Sequence, residues 1–536
     1  MNEMKSNRYT QLFVLFVGLI LVSCYDKNNT IHRLPDLQIT NISAGAVKTG
    51  DELKLHPIGM LGNEEVECTY QWYRYHGNQP ELIHEGQDLV WRVDTTDFVN
   101  IGLDVTHVET GMMISEVYNF TITPRIERGW IVLKENTEGN TDMDALLMVG
   151  DNVFELSENL LPEPLEGKPV ALLEAGRYYW NHPVTLVQEG NLECLLPVSE
   201  KNIAWYRIKD EVTMLSGDDM FYEPSPVATR KFEAVGVFNS SYCVMALVDN
   251  GRVSRTLASY SGSRFMPEIV GNYKLAPWLV TGVSMNMPVG YDEFTSSFVM
   301  VGDDALSYFP DTYREGDDVQ ISSNAMDADL LFFGQTHGNL DPNYTSYPAY
   351  GPGIGYALMR KKGNTEQVEL YGLNFREATS YGTIYSPIRF HRTIEVVACP
   401  ELVAADFYTL HQDKGILYFI KDNVLHYYDI ENDRFVKDCY TFDGEVTYLK
   451  FVGNNYDRSD SWDPIQFNYT FSRLMVATCS GEEYSVYTFE ENDSGNLVLR
   501  PERTFVGHGK VKKMLWYGYN PTGYLSKLSS NGYIYN

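Results

Sequence analysis

A chain of 536 residues with 42 basic and 72 acidic side chains carries a formal net charge of −30. So large an acidic excess repels nucleic-acid phosphates and anionic lipid headgroups, which excludes both as partners of the surface as a whole. With 44% apolar residues the chain is too hydrophobic to be disordered, and it is long enough for several domains or one large repeat fold.

The first thirty residues read as an export signal. Lys5 and Arg8 give a positive start, an apolar run extends from Leu12 to Val22, and Leu21-Val22-Ser23-Cys24 follows the pattern of a lipobox. The run is shorter than the roughly 20 residues a spanning helix needs. Residues 1–23 are therefore expected to be cleaved, leaving Cys24 as the lipidated first residue and 24–35 as a tether. Tyr25 is not the aspartate that retains bacterial lipoproteins in the inner membrane, so an outer-membrane position facing the outside is expected. The other six cysteines, at 68, 194, 243, 399, 439 and 479, are widely spaced, mostly in apolar surroundings, and read as buried free thiols rather than zinc ligands.

Residues 36–125 alternate apolar and polar positions in short segments. Strands are expected over Leu37–Ile42, Glu52–Leu55, Tyr70–Tyr75, Leu89–Val93, Ile101–Val105 and Val117–Ile122. This predicts an antiparallel sandwich with Trp72 in its core, as in an immunoglobulin-like domain, but without the inter-sheet disulfide because Cys68 has no partner nearby. The stretch Asp104–Gly111 is similar to the V-x-D-x-x-T-G segment of PKD-like sandwiches.

From 126 to 536 an internal period emerges. Apolar strand, polar turn and second strand recur with turns beginning at 151, 201, 250, 303, 363, 422, 481 and 531. Asp-Asn, Asn-Gly and Gly-Asn supply the positive φ that tight hairpins need. A hairpin every ~50 to 60 residues is the spacing of β-propeller blades. The fold class is therefore all-β, a sandwich followed by a propeller of eight blades, or seven if one turn is mispaired. The final repeat stops soon after its turn, so its outer strand is absent or supplied by an earlier segment.

Three pieces together resemble the PKD-like lipoproteins of Bacteroidetes: Ser23-Cys24-Tyr25-Asp26-Lys27-Asn28, the sandwich segment Tyr70-Gln71-Trp72-Tyr73, and Arg128-Gly129-Trp130-Ile131-Val132-Leu133. The resemblance implies an accessory surface lipoprotein serving a SusC/SusD-like uptake system, in which a TonB-dependent barrel imports a captured nutrient. It implies no catalytic residues.

Nor do the residues themselves offer a catalytic motif. There is no P-loop, no His-Glu-x-x-His, no Gly-x-Ser-x-Gly and no sialidase box. No cofactor is expected. Two acidic clusters, Asp457-Asp460-Asp463 and Asn140-Asp142-Asp144, are read as loops whose carboxylates are solvated, with a structural calcium ion as the weaker reading. Binding is expected instead from two long insertions. Residues 334–355 offer His337, Tyr344, Tyr347 and Tyr350, and residues 453–468 offer Tyr456, Asp457, Asp460 and Trp462. Flat aromatic rings stack on sugars or peptide side chains, and carboxylates accept hydroxyls or amines. The leading expectation is a non-catalytic subunit that binds peptide or glycan. Its rivals are a propeller-type glycan-degrading enzyme with paired carboxylates at the channel mouth, and a purely structural interaction platform. A eukaryotic secreted protein is a weaker rival, resting on sequons at Asn343 and Asn468.

Overall fold

The computed structural model describes residues 35–518, apart from 78, 94–96, 151–152, 182–187, 238–244, 257–263, 281–286, 303, 314, 337–353, 375–385, 412–413, 456–469, 492–496 and 498–500. The chain divides into two compact units, the first ending at Thr123 and the second starting at Pro124. Almost everything described is β: the one α-helix among the described residues is Pro400–Val403. No described helix is long and apolar enough to cross a membrane.

The first unit is built from three sheets around one apolar core. Five strands pair in the spatial order Ala46–Lys48, Met113–Thr123, Asp97–His107, Cys68–His76 and Gln79–Glu85. The first two of these run parallel, whereas the remaining neighbours are antiparallel. Leu37–Thr40, Ile58–Leu61 and Glu64–Glu65 form a second sheet, and Glu52–Leu55 pairs with Leu89–Arg92 in a third. All three contribute to the core, through Leu37, Leu53, Leu89, Leu103 and Phe120 among others. Trp72 is fully buried at its centre, and its indole N–H donates to the Gly86 carbonyl at 2.9 Å. The alternation in Met113–Thr123 is plain in its burial, with every second residue turned to the core side. The short strands at 46–48, 58–61 and 64–65 escape a periodicity reading because two to four residues cannot display a period.

The second unit contains seven antiparallel sheets among the described residues, not the eight expected. In the order inner to outer, sheet 1 is Lys510–Gly518, Arg128–Glu135, Thr141–Gly150 and Val153–Ser157. Sheet 2 is Pro169–Asn181, Gln188–Ser199, Ala204–Arg207 and Val212–Ser216. Sheet 3 is Phe232–Val237, Met245–Asp249 and Arg252–Arg255. Sheet 4 is Val289–Asp292, Ser297–Val301 and Leu306–Tyr308, with residues 275–280 bridged to its inner edge. Sheet 5 is Ala328–Gln335, Gly355–Lys361, Gln367–Leu373 and Ile388–Glu395. Sheet 6 is Phe407–Leu410, Ile416–Lys421, Val424–Asp429 and Arg434–Thr441. Sheet 7 is Glu445–Asn455, Thr470–Ser480, Glu483–Glu490 and Glu502–His508.

An apolar core fills the space between each successive pair. Leu172 and Leu195 meet Leu133 and Leu515 between sheets 2 and 1. Trp205 meets Phe232 between 2 and 3, and Val248 meets Leu279 between 3 and 4. Phe298 meets Phe333, Leu358 meets Leu417, and Tyr418 meets Phe451 along the next three junctions. Tyr448 and Tyr484 of sheet 7 then pack with Trp130 and Met514 of sheet 1. The sheets thus form a closed ring, which is the architecture of a β-propeller. Burying both faces of each sheet explains why many strands read as continuous apolar runs, as in Ser297–Val301, rather than alternating.

Seven of the eight expected turns fall one to each described sheet. Turns at 201, 250, 363, 422 and 481 join second and third strands, as the repeat requires. The turn at 151 joins the third and fourth strands of sheet 1 instead, and the turn at 303 joins the last two strands of sheet 4. The turn at 531 lies outside the described residues. The place beside the last described strand, Lys510–Gly518, is already taken by Arg128–Glu135. Three early strands, Arg128–Glu135, Thr141–Gly150 and Val153–Ser157, share a sheet with it. Turn chemistry holds where the period holds: Asn250 and Gly251 have φ of 50° and 75°, and Asp422 and Asn423 have 51° and 61°.

The five described cysteines form no disulfide, with Cys194, Cys399 and Cys479 buried and Cys68 and Cys439 half-buried. Cys243 lies outside the described residues. Burial pushes the thiols of Cys399 and Cys439 up to about 11.

One expectation is reversed. Asp142 and Asp144 are not in a solvated loop; they lie on the strand Thr141–Gly150 and are buried. Asp144 Oδ1 sits 2.6 Å from Lys134 Nζ, with side-chain exposures of 0% and 3%. Its carboxylate also accepts from the Asn159 amide at 2.9 Å and from the Tyr484 hydroxyl at 3.1 Å. Tyr484 belongs to sheet 7, so this buried pair holds the junction where the ring closes. Asp142 accepts from the amides of Met143 and Leu161. Its oxygens serve the backbone, and burial, opposed by those bonds, raises its pKa.

Candidate functional site

Of the residues singled out for binding, His337, Tyr344, Tyr347, Tyr350, Tyr456 and Trp462 lie outside the described residues, as do Asp457, Asp460, Asp463 and the lipidation candidate Cys24. What the structure does place is the base of each insertion. Residues 337–353 leave from the inner strand of sheet 5, whose last pair is Gln335 with Gly355. The Thr336 amide then donates to the Ile354 carbonyl at 3.0 Å. Residues 456–469 leave from the inner strand of sheet 7, whose last pair is Asn455 with Thr470.

Both insertions emerge at the same end of the ring. Phe332 stacks near Tyr408, and Gly334 lies against Leu410, so the inner strands of sheets 5 and 6 run in one direction. At sheet 7, the Val446 amide donates to Asn423 in the hairpin turn of sheet 6, while the Phe451 amide donates to Thr409 Oγ1. That fixes the inner strand of sheet 7 in the same direction.

The described residues at this end include buried polar groups. The Gln335 side chain is 6% exposed, and neither its amide oxygen nor its nitrogen has a hydrogen-bond partner among the described residues. His411 is buried, with its ring stacked on Phe451 at a centroid distance of 3.9 Å. Its Nδ1 accepts from the Lys414 amide, which leaves Nε2 to donate to Glu491 Oε1 at 2.8 Å. Lys414 Nζ reaches the same oxygen at 2.9 Å. This cluster ties the first hairpin of sheet 6 to the segment that follows the third strand of sheet 7.

Further along the ring two half-buried lysines lie on neighbouring inner strands. Lys450 lies on Glu445–Asn455, on the face it shares with Tyr448 and Val452 toward sheet 1. Lys513 lies on Lys510–Gly518. These two strands pack against one another, and both side chains are partly buried. Burial, with the like charge of Lys513, pushes the Lys450 ammonium down to about 7, and burial alone pushes Lys513 down to about 8. The acids near the start of these strands serve other cations. Glu445 pairs with Lys510 at 2.6 Å, and Glu135 and Glu445 both act on Lys512. Among the described residues no carboxylate forms an ion pair with Lys513.

Sequence reading passed over these lysines because it searched for loops and motifs. A signal was present: Lys450 interrupts Tyr448-Leu449-Lys450-Phe451-Val452, and Lys513 precedes Met514-Leu515-Trp516. A cation inside an apolar strand is costly to bury unless something offsets it.

Among the described residues no group of three or more His, Cys, Asp or Glu side chains is arranged to hold a metal ion. No family model matches the chain, and no curated protein matches it. Among solved structures it is similar to a quinonprotein alcohol dehydrogenase-like protein from Bacteroides thetaiotaomicron, at 9% identity and a TM-score of 0.42, over 90% of this chain and 99% of that one. It is also similar to the WD40 domain of SCAP from fission yeast, at 11% identity and a TM-score of 0.24, over 72% and 75% of the two chains. The fold rests on this chain's own strand order and closed set of cores.

Proposed function

We propose that this chain is a lipid-anchored outer-membrane protein, facing outward, whose seven-bladed propeller binds a peptide or glycan without chemistry. In this reading it serves as an accessory subunit of a SusC/SusD-like TonB-dependent uptake system. Cys24 carries the lipid. The first unit is an immunoglobulin- or PKD-like sandwich acting as a spacer or docking module. The parallel pairing of Ala46–Lys48 with Met113–Thr123 and the buried Trp72 support that assignment.

The observation that carries the binding role is the shared end of the two insertions. Two aromatic-rich segments more than a hundred residues apart are rooted on inner strands at one end of a rigid ring, which is where propeller ligands collect. Gln335, buried at the foot of one insertion with its amide unpartnered, adds a polar group able to fix a ligand's orientation.

The experiment is a tagged pull-down from detergent-solubilised outer membranes, with mass spectrometry of the co-purifying proteins. A stoichiometric SusC-like barrel is expected. Elution alone would remove the stable-subunit role. Metabolic labelling with palmitate checks the anchor, and Cys24→Ser is expected to abolish the label.

A further inference from the structure

We propose that the outward face of the five-stranded sheet in the first unit is a second ligand site, a platform for a neutral glycan. The inference goes beyond the reading of that unit as a spacer, and it does not depend on the propeller insertions.

Three observations carry it. The first is which side chains share the face. In the register, Val117 stands opposite Gly102, Gly102 opposite Tyr73, and Tyr73 opposite Leu82. Residues directly opposite one another lie on one side of a sheet, and so do residues two apart along a strand. Tyr75 and Met113 therefore join them. Met113, Val117 and Leu82 are 63%, 51% and 48% exposed, whereas Trp72 and Leu103, on the other side, are fully buried. The two tyrosines are half-buried.

The second is how the rings are held. Gly102 does not have a positive φ, so space rather than backbone conformation calls for glycine there. A Cβ would stand 2.7 Å from Tyr75 Cε2. The Tyr75 ring thus lies down over Gly102, where side chains ordinarily stand away from the sheet. That leaves the ring's other face for a ligand. The Tyr73 hydroxyl donates to Gln71 Oε1 at 3.1 Å, and Gln71 Nε2 donates to Glu85 Oε1 at 3.1 Å. Rings fixed beforehand lose little freedom on binding.

The third is charge. Ser115, Asp104, Gln71 and Glu85 form the row on one side of the aromatic patch, and Asn119 with Asn100 begins the row on the other. Among the described outward positions of these strands the one cation is Lys48, on the far edge strand beside Thr123. Carboxylates and amides accept hydroxyl donors, and aromatic rings cover apolar C–H faces; a sugar ring offers both. Asp104 and Glu85 repel an acidic glycan, and they repel the same face of a second copy. A basic peptide would need those carboxylates as free charges, but Glu85 and Asp104 already sit against the neutral Gln71 and Tyr73. Pro80 and Glu81 on the edge strand Gln79–Glu85 disfavour addition of a strand there.

The test is native affinity electrophoresis of the full chain, whose net charge of −30 carries it through gels containing soluble xyloglucan, galactomannan or amylopectin. Retardation by at least one of the three is expected. Tyr73→Ala and Tyr75→Ala are each expected to weaken it about three- to ten-fold, as loss of a stacking ring implies. Tyr75→Phe keeps the ring and is expected to stay within about two-fold. Gly102→Ala is the sharper variant. Its Cβ meets only the movable end of the Tyr75 side chain, so the fold is kept while the ring is lifted, and retardation is expected to fall about three-fold or more. Should the tyrosine variants fail to fold by circular dichroism, Leu82→Arg and Val117→Arg decide it. Both sites are exposed enough to take the change at little cost in stability, and each variant is expected to weaken retardation about three-fold or more. Retardation by none of the three polysaccharides overturns the proposal. So does binding to polylysine alone, or a dimer that Leu82→Arg dissolves. Retardation that survives in the Tyr73→Ala/Tyr75→Ala double variant lies elsewhere on the chain; it overturns this inference and leaves the propeller reading standing.

Discussion

Lys134 and Lys513 lie in the same sheet, on hydrogen-bonded neighbouring strands, yet they live in opposite electrostatic settings. Lys134 is buried with Asp144, which Tyr484 and the Asn159 amide also hold. Lys513 is partly buried opposite Leu133, with no described carboxylate in an ion pair. The first arrangement satisfies every charge it buries and so locks two sheets together. The second buries an ammonium with no described carboxylate beside it, and burial lowers its pKa. Burial alone therefore does not tell a cation that locks sheets together from one that does not; the partner does.

The comparison breaks most readily at the closure. Asp144→Ala strands the Lys134 ammonium in the core and is expected to cost about 3–5 kcal/mol. Urea unfolding followed by tryptophan fluorescence measures it, and a loss under about 1 kcal/mol would mean the pair does not hold the seam. Gly509→Ala comes next. Gly509 has a φ of 106° at the crossover from sheet 7 into sheet 1, and a Cβ there would lie 2.5 Å from the Glu135 carbonyl oxygen. Strain of about 1–3 kcal/mol is expected, read in the same experiment. Tyr484→Phe removes one hydrogen bond to Asp144 and is expected to cost about 0.5–1.5 kcal/mol. If it costs nothing, the tyrosine contributes packing alone.

The smallest effect sharpens the other half. Lys450 and Lys513 have their pKa values lowered to about 7 and 8 in the folded chain, against about 10.4 unfolded. Between those values the unfolded state binds more protons, so stability rises with pH from about 7 upward; below pH 7 the full penalty of burying charge is present. Between pH 6.5 and 7.5 the gain over the Lys450→Met/Lys513→Met double variant is expected to be under about 1 kcal/mol. Paired urea titrations at the two pH values check it, and an identical pH dependence in both proteins would mean the lysines are not buried as described. Glu135, Glu445, Lys510 and Lys512 remain in the double variant, so their contributions cancel in the difference.

Much of the architecture was legible in the residues, for local reasons. Asn250-Gly251 and Asp422-Asn423 announce tight hairpins because few other pairs tolerate two positive φ values in succession. Trp72 sits in a strand whose alternation marks its core face. The turn at 151 looked the same as those at 250 and 422 because hairpin chemistry does not record which two strands of a sheet it joins. Asp142 and Asp144 looked like loop carboxylates because they follow Gly139-Asn140; Lys134 stands ten residues before Asp144, but Tyr484, which completes the pair, is 340 residues away.

The sequence by itself determined the all-β character and the recurring hairpins. Each follows from composition or from contacts a few residues apart. Only the tertiary structure decided that seven sheets share the ring and that Arg128–Glu135 sits beside Lys510–Gly518. It also decided that Asp144 meets a tyrosine 340 residues away. These pairings depend on closure of the whole ring. Strand edges and apolar faces accept many partners locally, and the choice among them is made only when every sheet has a neighbour on both sides.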